Sequence, residues 1–127
     1  MNDLTLALVT PYGEMFNGPI KHVYLPGKEG EFGVLKGHSD LLALLTTGIV
    51  EIEHLDGSTE LVAINWGYVE ISNNHVNALI DSAVCLKSKD NSQISEFLKD
   101  AKALLESATS DKLLIANAMH KLEVASK

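Results

Sequence analysis

The sequence contains no arginine, and all 10 of its basic residues are lysines. With 17 acidic residues, its formal net charge is −7. Nucleic-acid binding depends on clustered positive charge, and two-point recognition of a phosphate depends on the planar guanidinium group. The composition therefore disfavours a nucleic-acid-binding protein and a phosphate site of the arginine type.

Cysteine is nearly absent, and the histidines are scattered. The single cysteine, Cys85, excludes an internal disulfide and a cysteine-rich zinc site. It lies in the apolar run 83–86, where a small buried hydrophobe is favoured over a nucleophile. The histidines show neither HxH nor HExxH spacing, so a zinc site is disfavoured. Solvated or hydrogen-bonded roles are predicted for His22, His38, His54, His75 and His120.

Recognisable catalytic motifs are missing as well. No G-x-S-x-G nucleophile motif occurs, and the carboxylate pairs Glu29/Glu31 and Glu51/Glu53 have strand spacing. Carboxylates at positions i and i+2 of a strand share one face, where a solvated face is favoured over a catalytic dyad. The sequence therefore predicts no catalytic, cofactor-binding or metal-binding residue.

Long hydrophobic runs are absent. The longest purely apolar stretch, Leu41–Leu45, is far shorter than the roughly 20 residues that span a bilayer. The first residues carry no basic region, so no signal peptide is expected. These features predict a soluble protein that reaches a membrane only through contacts with other proteins.

Glycine and proline are confined to the front of the chain. All 9 glycines and all 3 prolines precede residue 68, which predicts short strands up to about residue 86. Leu4, Leu6 and Leu8 share one face of the first strand, and tight turns are expected at Asp56-Gly57 and Asn73-Asn74. Short strands with frequent turns indicate a β-sandwich or a β-barrel.

The tail changes to a helical period. Apolar residues recur every three or four positions on two stripes, joined by a turn at 107–110 with Ser110 as the predicted cap of the second helix. Charge changes too: residues 1–87 hold 4 lysines and 11 acidic residues, whereas residues 88–127 hold 6 of each. We predict two parts, 1–87 and 88–127, the second an antiparallel helical hairpin. Because its own core is thin, we expect the hairpin to lean on another surface or to be able to leave one. The stripes are Ile94, Phe97, Leu98, Ala101, Leu104, Leu105 and Ala108, then Ile115, Ala118, Met119, Leu122 and Ala125.

The glycine-rich stretch 26–38 superficially suggests a phosphate loop. No GK[ST] follows it, no helical pattern begins there, and Glu29 and Glu31 would repel phosphate. We interpret it as a shaped surface loop of the kind that contacts a partner.

These residues also carry a family resemblance, which covers nearly the whole chain. Five segments carry it, in this order: Val9–Gly18, Leu25–Gly27 with Gly30–Leu35, Gly37–Leu42 with Gly48 after it, Gly67–Ile71 and Leu79–Ala83. They resemble motifs of the epsilon subunits of F-type ATP synthases, including an opening P-x-G-x-x-F-x-G and a G-H-x-x-L-L. Five such segments in order, followed by a helical tail, make a specific signal.

The resemblance implies a ten-stranded β-sandwich followed by two antiparallel helices. It also implies a non-catalytic rotor subunit of a proton-translocating ATP synthase, bound to the gamma subunit and the c-ring. Such a subunit lies on the cytoplasmic face of the bacterial inner membrane and couples proton flow to ATP synthesis. In members of the family the hairpin can also brake ATP hydrolysis through contacts with the alpha and beta subunits. Here the charges of the tail sum to zero and its lysines are scattered, which disfavours inhibition.

The resemblance further implies roles for particular residues. Glu31 and His38 match the loop that contacts the c-ring, although His38 could equally stabilise a turn. ATP-binding members of the family carry Ile-Asp-x-x-Arg-Ala, where this chain has Ile94, Ser95 and Leu98 at the first, second and fifth positions. Weak or no ATP binding is therefore predicted. The candidates for braking contacts are Lys99, Lys102, Lys112 and Lys121.

Two other interpretations compete with a rotor subunit. One is a free-standing sandwich that binds a small ligand or a peptide; such a domain has no need of an amphipathic hairpin. The other is a cupin-like metalloenzyme, which needs the clustered ligands that this sequence lacks. Co-purification with a gamma-like subunit discriminates the first, and metal analysis the second.

Overall fold

The structure is a computed structural model that describes residues 3–86 and 91–125, with side chains described for 3–85 and 94–123. The described residues form ten strands followed by two helices. The strands are β1 (Leu4–Thr10), β2 (Gly13–Ile20), β3 (His22–Gly27), β4 (Gly30–Leu35), β5 (Leu41–Leu45), β6 (Gly48–Glu53), β7 (Thr59–Ile64), β8 (Gly67–Ser72), β9 (His75–Ile80) and β10 (Ala83–Leu86). The helices are α1 (Asn91–Ala108) and α2 (Lys112–Ala125).

The ten strands form a β-sandwich with one apolar core. The strand order is β10-β7-β6-β3-β5-β8-β9-β1-β2, and β4 pairs with β3. Pairing is antiparallel except between β1 and β9. The inward faces of the strands supply the core, which includes Leu4, Leu6 and Leu8 as their alternation predicted. The sandwich and the two helices behind it confirm the predicted fold class.

Both predicted tight turns are present. Asn73 and Asn74 take φ angles of 52° and 64°, a left-handed pair that joins β8 to β9. Between β6 and β7, Gly57 has φ 89°, and Asp56 Oδ1 accepts hydrogen bonds from the hydroxyl and the N–H of Ser58. Those two bonds, the hydroxyl's first, hold the pKa of the exposed Asp56 carboxyl below its usual value.

The helical hairpin packs against the outer surface of the sandwich. Phe97, Ala101 and Leu105 of α1 and Ala118 and Leu122 of α2 are buried there. Their partners on the sheet are the outward-facing side chains of β6 and β7, namely Ile49, Leu61 and Ala63. The apolar stripes of the two helices therefore pack against another surface, as expected from the thin core between the helices.

The start of α2 differs from the prediction by one residue. The expected cap, Ser110, is wrong, because Asp111 Oδ1 accepts hydrogen bonds from the N–H groups of Leu113 and Leu114 at 3.0 and 3.2 Å. The N–H of Asp111 in turn bonds Thr109 Oγ1 at 3.1 Å. The carboxylate reaches two of the unpaired N–H groups of the first turn, so the helix begins after it.

The link between sandwich and hairpin lies in residues 87–90, outside the described residues, and so does the predicted boundary between 87 and 88. Within the part of the chain that the structure describes, neither helix is long and apolar enough to cross a membrane.

Candidate interaction surfaces

Glu31 lies at the beginning of β4, and His38 lies beyond the other end of that strand. Glu31 is opposite Pro26 at the beginning of β4, beside the turn at 28–29. His38 follows the end of β4, where its N–H bonds the carbonyl of Leu35 at 3.1 Å. Six residues of strand extend about 20 Å. The structure therefore does not bring these two predicted contact residues together.

His38 belongs to a network of turns at its end of the sandwich. Its Nδ1 lies 2.7 Å from the carbonyl oxygen of Ser39, and the N–H of the preceding Gly37 bonds Asn74 Oδ1 at 2.7 Å. The β8–β9 turn is thereby joined to the segment after β4. The contact of the His38 side chain with the Ser39 carbonyl is of the kind expected for a turn-stabilising residue, the alternative that the sequence left open.

Glu31 is bound to the hairpin. Lys121 Nζ of α2 lies 2.6 Å from Glu31 Oε2, and both side chains remain partly exposed. This ion pair joins a residue of the predicted ring contact to a residue of the predicted braking contact, 90 positions apart in sequence. Such an exposed pair contributes roughly 0 to 1 kcal/mol. The other candidate lysines, Lys99, Lys102 and Lys112, are exposed on the helices.

Three further histidines and the cysteine also have polar partners. His54 Nε2 lies 3.0 Å from Glu60 Oε1, and the Cys85 thiol lies 2.6 Å from Glu60 Oε2. His22 faces Glu53, and His75 contacts the Thr5 hydroxyl. Among the described residues, no group of three or more His, Cys, Asp or Glu side chains is placed to hold a metal ion.

A row of exposed apolar side chains covers the outward face of three neighbouring strands. Leu44 of β5 is opposite Tyr68 of β8, which is opposite Leu79 of β9, and Leu42 lies two positions from Leu44 on the same face. We call Leu42, Leu44, Tyr68 and Leu79 the outer apolar face. It is separate from the surface under the hairpin, because β3 lies between β5 and β6 in the strand order.

The glycine-rich stretch borders this face. A cavity of about 530 Å³ lies between residues 27–32 and 41–44, and its walls are mostly apolar. The sequence predicted a contact surface in this loop, but it did not show which apolar residues of the neighbouring strands point outward. The signal was there in Leu41–Leu45, but a fully apolar run gives no alternation from which to choose a face.

Comparison with known proteins decides the family. Residues 3–85 match the family described as "ATP synthase, Delta/Epsilon chain, beta-sandwich domain". The ATP synthase epsilon chain of Helicobacter hepaticus is 46% identical over 123 residues, covering 97% of this chain and 94% of its relative. This chain belongs to the ATP synthase epsilon family. The epsilon chain of Wolinella succinogenes is 44% identical over 127 residues, covering 100% of this chain and 97% of that one.

Two solved assemblies contain chains of the same fold. A chain of the Euglena gracilis mitochondrial ATP synthase, solved as OSCP/F1/c-ring, has a TM-score of 0.66 at 24% identity, covering 98% of this chain and 82% of that chain. A chain of the Tetrahymena thermophila mitochondrial ATP synthase central stalk/c-ring has a TM-score of 0.57 at 15% identity, covering 86% and 98%. At these identities the likeness supports the fold.

Proposed function

We propose that this epsilon-family chain is a non-catalytic rotor subunit of a bacterial, proton-translocating F-type ATP synthase. It is a peripheral part of the F1 sector on the cytoplasmic face of the inner membrane. There it holds the gamma subunit and the c-ring together, and so couples proton flow to ATP synthesis. The observation that carries this proposal is the outer apolar face, an exposed sheet surface that the chain's own hairpin leaves uncovered.

The outer apolar face is the proposed contact with the gamma subunit. Contiguous exposed apolar side chains on a folded domain mark a protein interface. Leu42, Leu44, Tyr68 and Leu79 lie on adjacent strands in one register, so a partner can cover them together.

We predict that an aspartate at position 44 disrupts gamma binding. Leu44 is exposed on the outer apolar face, so Leu44→Asp leaves the core intact but places a charge inside the contact. The affinity for the gamma subunit should fall by about 10-fold or more, measured by calorimetric titration. Leu35→Asp is the matched control, since Leu35 is equally exposed on β4, outside the face. Equal losses in both variants would contradict this docking surface.

The c-ring contact is proposed at the end of the sandwich that carries Glu31. That end also presents Glu29 in the β3–β4 turn, next to the cavity beside the outer apolar face. Because the Glu31 carboxylate also pairs with Lys121, the same group would contact the c-ring and the docked hairpin. His38 follows the other end of β4. A c-ring contact at His38 therefore requires the ring to touch the sandwich at a second place.

For the hairpin, we propose little or no braking of ATP hydrolysis and little or no ATP binding. Ile94 and Leu98, which take the first and fifth positions of the family's ATP motif, pack against the apolar cluster between the helices and the sheet. The chain provides no arginine to grip a phosphate. The helices also lack an excess of positive charge for acidic surfaces of the alpha and beta subunits.

ATP hydrolysis by the reconstituted catalytic complex tests the brake. We expect the full chain and a chain ending at Lys87 to give similar rates, because the apolar contacts hold the hairpin on the sandwich. Gamma binding by both forms, confirmed by co-sedimentation, is the control. Several-fold faster hydrolysis with the shortened chain would show that the arginine-free hairpin still inhibits.

A further inference from the structure

Asn65 is a buried residue whose polar groups are all engaged. It is 5% exposed, and its Oδ1 accepts hydrogen bonds from the N–H groups of Trp66 and Ser82, both at 2.8 Å. Its Nδ2 donates to Asp81 Oδ2 at 2.8 Å. On the main chain, its N–H bonds the Ser82 carbonyl, and its carbonyl accepts the Thr47 hydroxyl at 2.6 Å. A buried network that is fully satisfied in this way specifies one geometry.

The residue that this network holds is an exposed tryptophan. The N–H of Trp66 is bound by Asn65 Oδ1, and its carbonyl accepts the N–H of Asp81 at 3.0 Å. Its backbone is thus fixed on both sides, while 51% of the residue remains exposed. A rigid backbone under a large exposed ring is the arrangement of an interface anchor, because little conformational entropy is lost on binding.

Trp66 continues the row of the outer apolar face. The bond between Asp81 and Trp66 extends the β8–β9 ladder one step beyond the pair Gly67 and Ile80. Side chains alternate along a strand, so the position of Trp66, two before Tyr68, falls on the same outward face. Acidic side chains border the row, with Glu70 exposed on β8 and Asp81 exposed beside Trp66.

We propose that Trp66 is the anchor of this face and inserts into an apolar pocket of the gamma subunit that is rimmed by basic side chains. The proposal rests on the docking function proposed above and names the residue that carries most of its affinity. The occupant is the gamma subunit because Trp66 is continuous with the face assigned to it, and because Glu70 and Asp81 complement a positive rim. Asn65 is the positioning residue that keeps the indole in place before binding.

Trp66 is the only tryptophan in the chain, so it can be observed directly. With 5-fluorotryptophan incorporated into this chain alone, the ¹⁹F NMR spectrum should show a single resonance. Addition of unlabelled gamma subunit should shift this resonance and protect it from broadening by a soluble paramagnetic agent. Trp66→Ala should weaken gamma binding by about 30-fold or more, as for a central aromatic anchor. Tyr12→Ala, at a 92% exposed tyrosine in the β1–β2 turn, should change it less than about 2-fold.

The positioning role has its own readout. Asn65→Asp keeps an acceptor for the N–H groups of Trp66 and Ser82 but removes the donor to Asp81 and sets two carboxylates together. In the free variant the ¹⁹F resonance should broaden or split while the β-sheet circular dichroism is retained, and gamma affinity should fall. A single sharp resonance with unchanged affinity would show that Asn65 does not position the indole.

The outcomes separate the two proposals. Suppose that the gamma subunit binds and that Leu44→Asp weakens this binding, but that gamma neither shifts the ¹⁹F resonance nor loses affinity for Trp66→Ala. The docking face then stands and the anchor is overturned. If the native chain does not bind the gamma subunit, the docking function fails and the anchor with it. A resonance that responds to the isolated c-ring and not to the gamma subunit overturns the assignment of the occupant.

Discussion

Leu122→Ala is expected to release the helical hairpin from the sandwich while the sandwich stays folded. Leu122 is fully buried between α2 and the outer side of the sheet. Removing a buried leucine side chain costs roughly 2 to 5 kcal/mol, which shifts a docking equilibrium by more than 10-fold. The Lys121–Glu31 pair contributes roughly 1 kcal/mol at most. The apolar contact therefore decides whether the hairpin stays docked.

Hydrogen exchange followed by residue checks this result. In the variant, amides of α1 and α2 should lose protection while those of the core strands retain theirs. Leu113→Ala is the matched control, because Leu113 lies on the same helix, is 71% exposed and should change nothing. If helices and strands lost protection together, the hairpin and the sandwich would form one cooperative unit, and a releasable regulatory part would be ruled out.

Gly67→Ala is expected to destabilise the sandwich itself. A Cβ at this position would lie 2.2 Å from the carbonyl oxygen of Leu79 and 3.0 Å from the Cα of Ile80. Both are backbone atoms in the paired β9 strand, so neither can move without disturbing the ladder. The free energy of unfolding should fall by about 3 kcal/mol, at the upper end of overpacking effects. Urea unfolding followed by circular dichroism measures it.

Gly18→Ala is the control for this substitution. A Cβ on Gly18, in β2, would meet only the ring of Phe16 at an ordinary 3.7 Å. Its stability should stay within about 0.5 kcal/mol of the native chain. A comparable loss at both glycines would mean that the close approach at Gly67 is not the cause. Since Gly67 separates Trp66 from Tyr68, a destabilising result would also explain the need for glycine inside the outer apolar face.

The candidate residues show which contacts a local stretch of sequence does not predict. Glu31 and His38 seemed neighbours because one glycine-rich stretch holds both, yet Glu31 lies at the beginning of β4 and His38 follows the end of that strand. Lys121 and Glu31 are far apart in sequence, and only the docking of α2 brings them together. The local sequence around Trp66 predicted no role for it. Its significance depends on Asn65, Asp81 and Ser82 meeting at one corner of the sandwich.

The sequence by itself determined the division into a β-rich front and a helical tail, the inward faces of strands such as β1, both tight turns, the helical stripes and the family. These properties follow from periods of 2 and 3.6 residues, from turn chemistry and from ordered motifs, all of which are local. The tertiary structure decided which apolar side chains of β5 face outward, where the hairpin docks, and what holds Trp66. Those properties depend on the register between segments distant in the chain, which no single segment encodes.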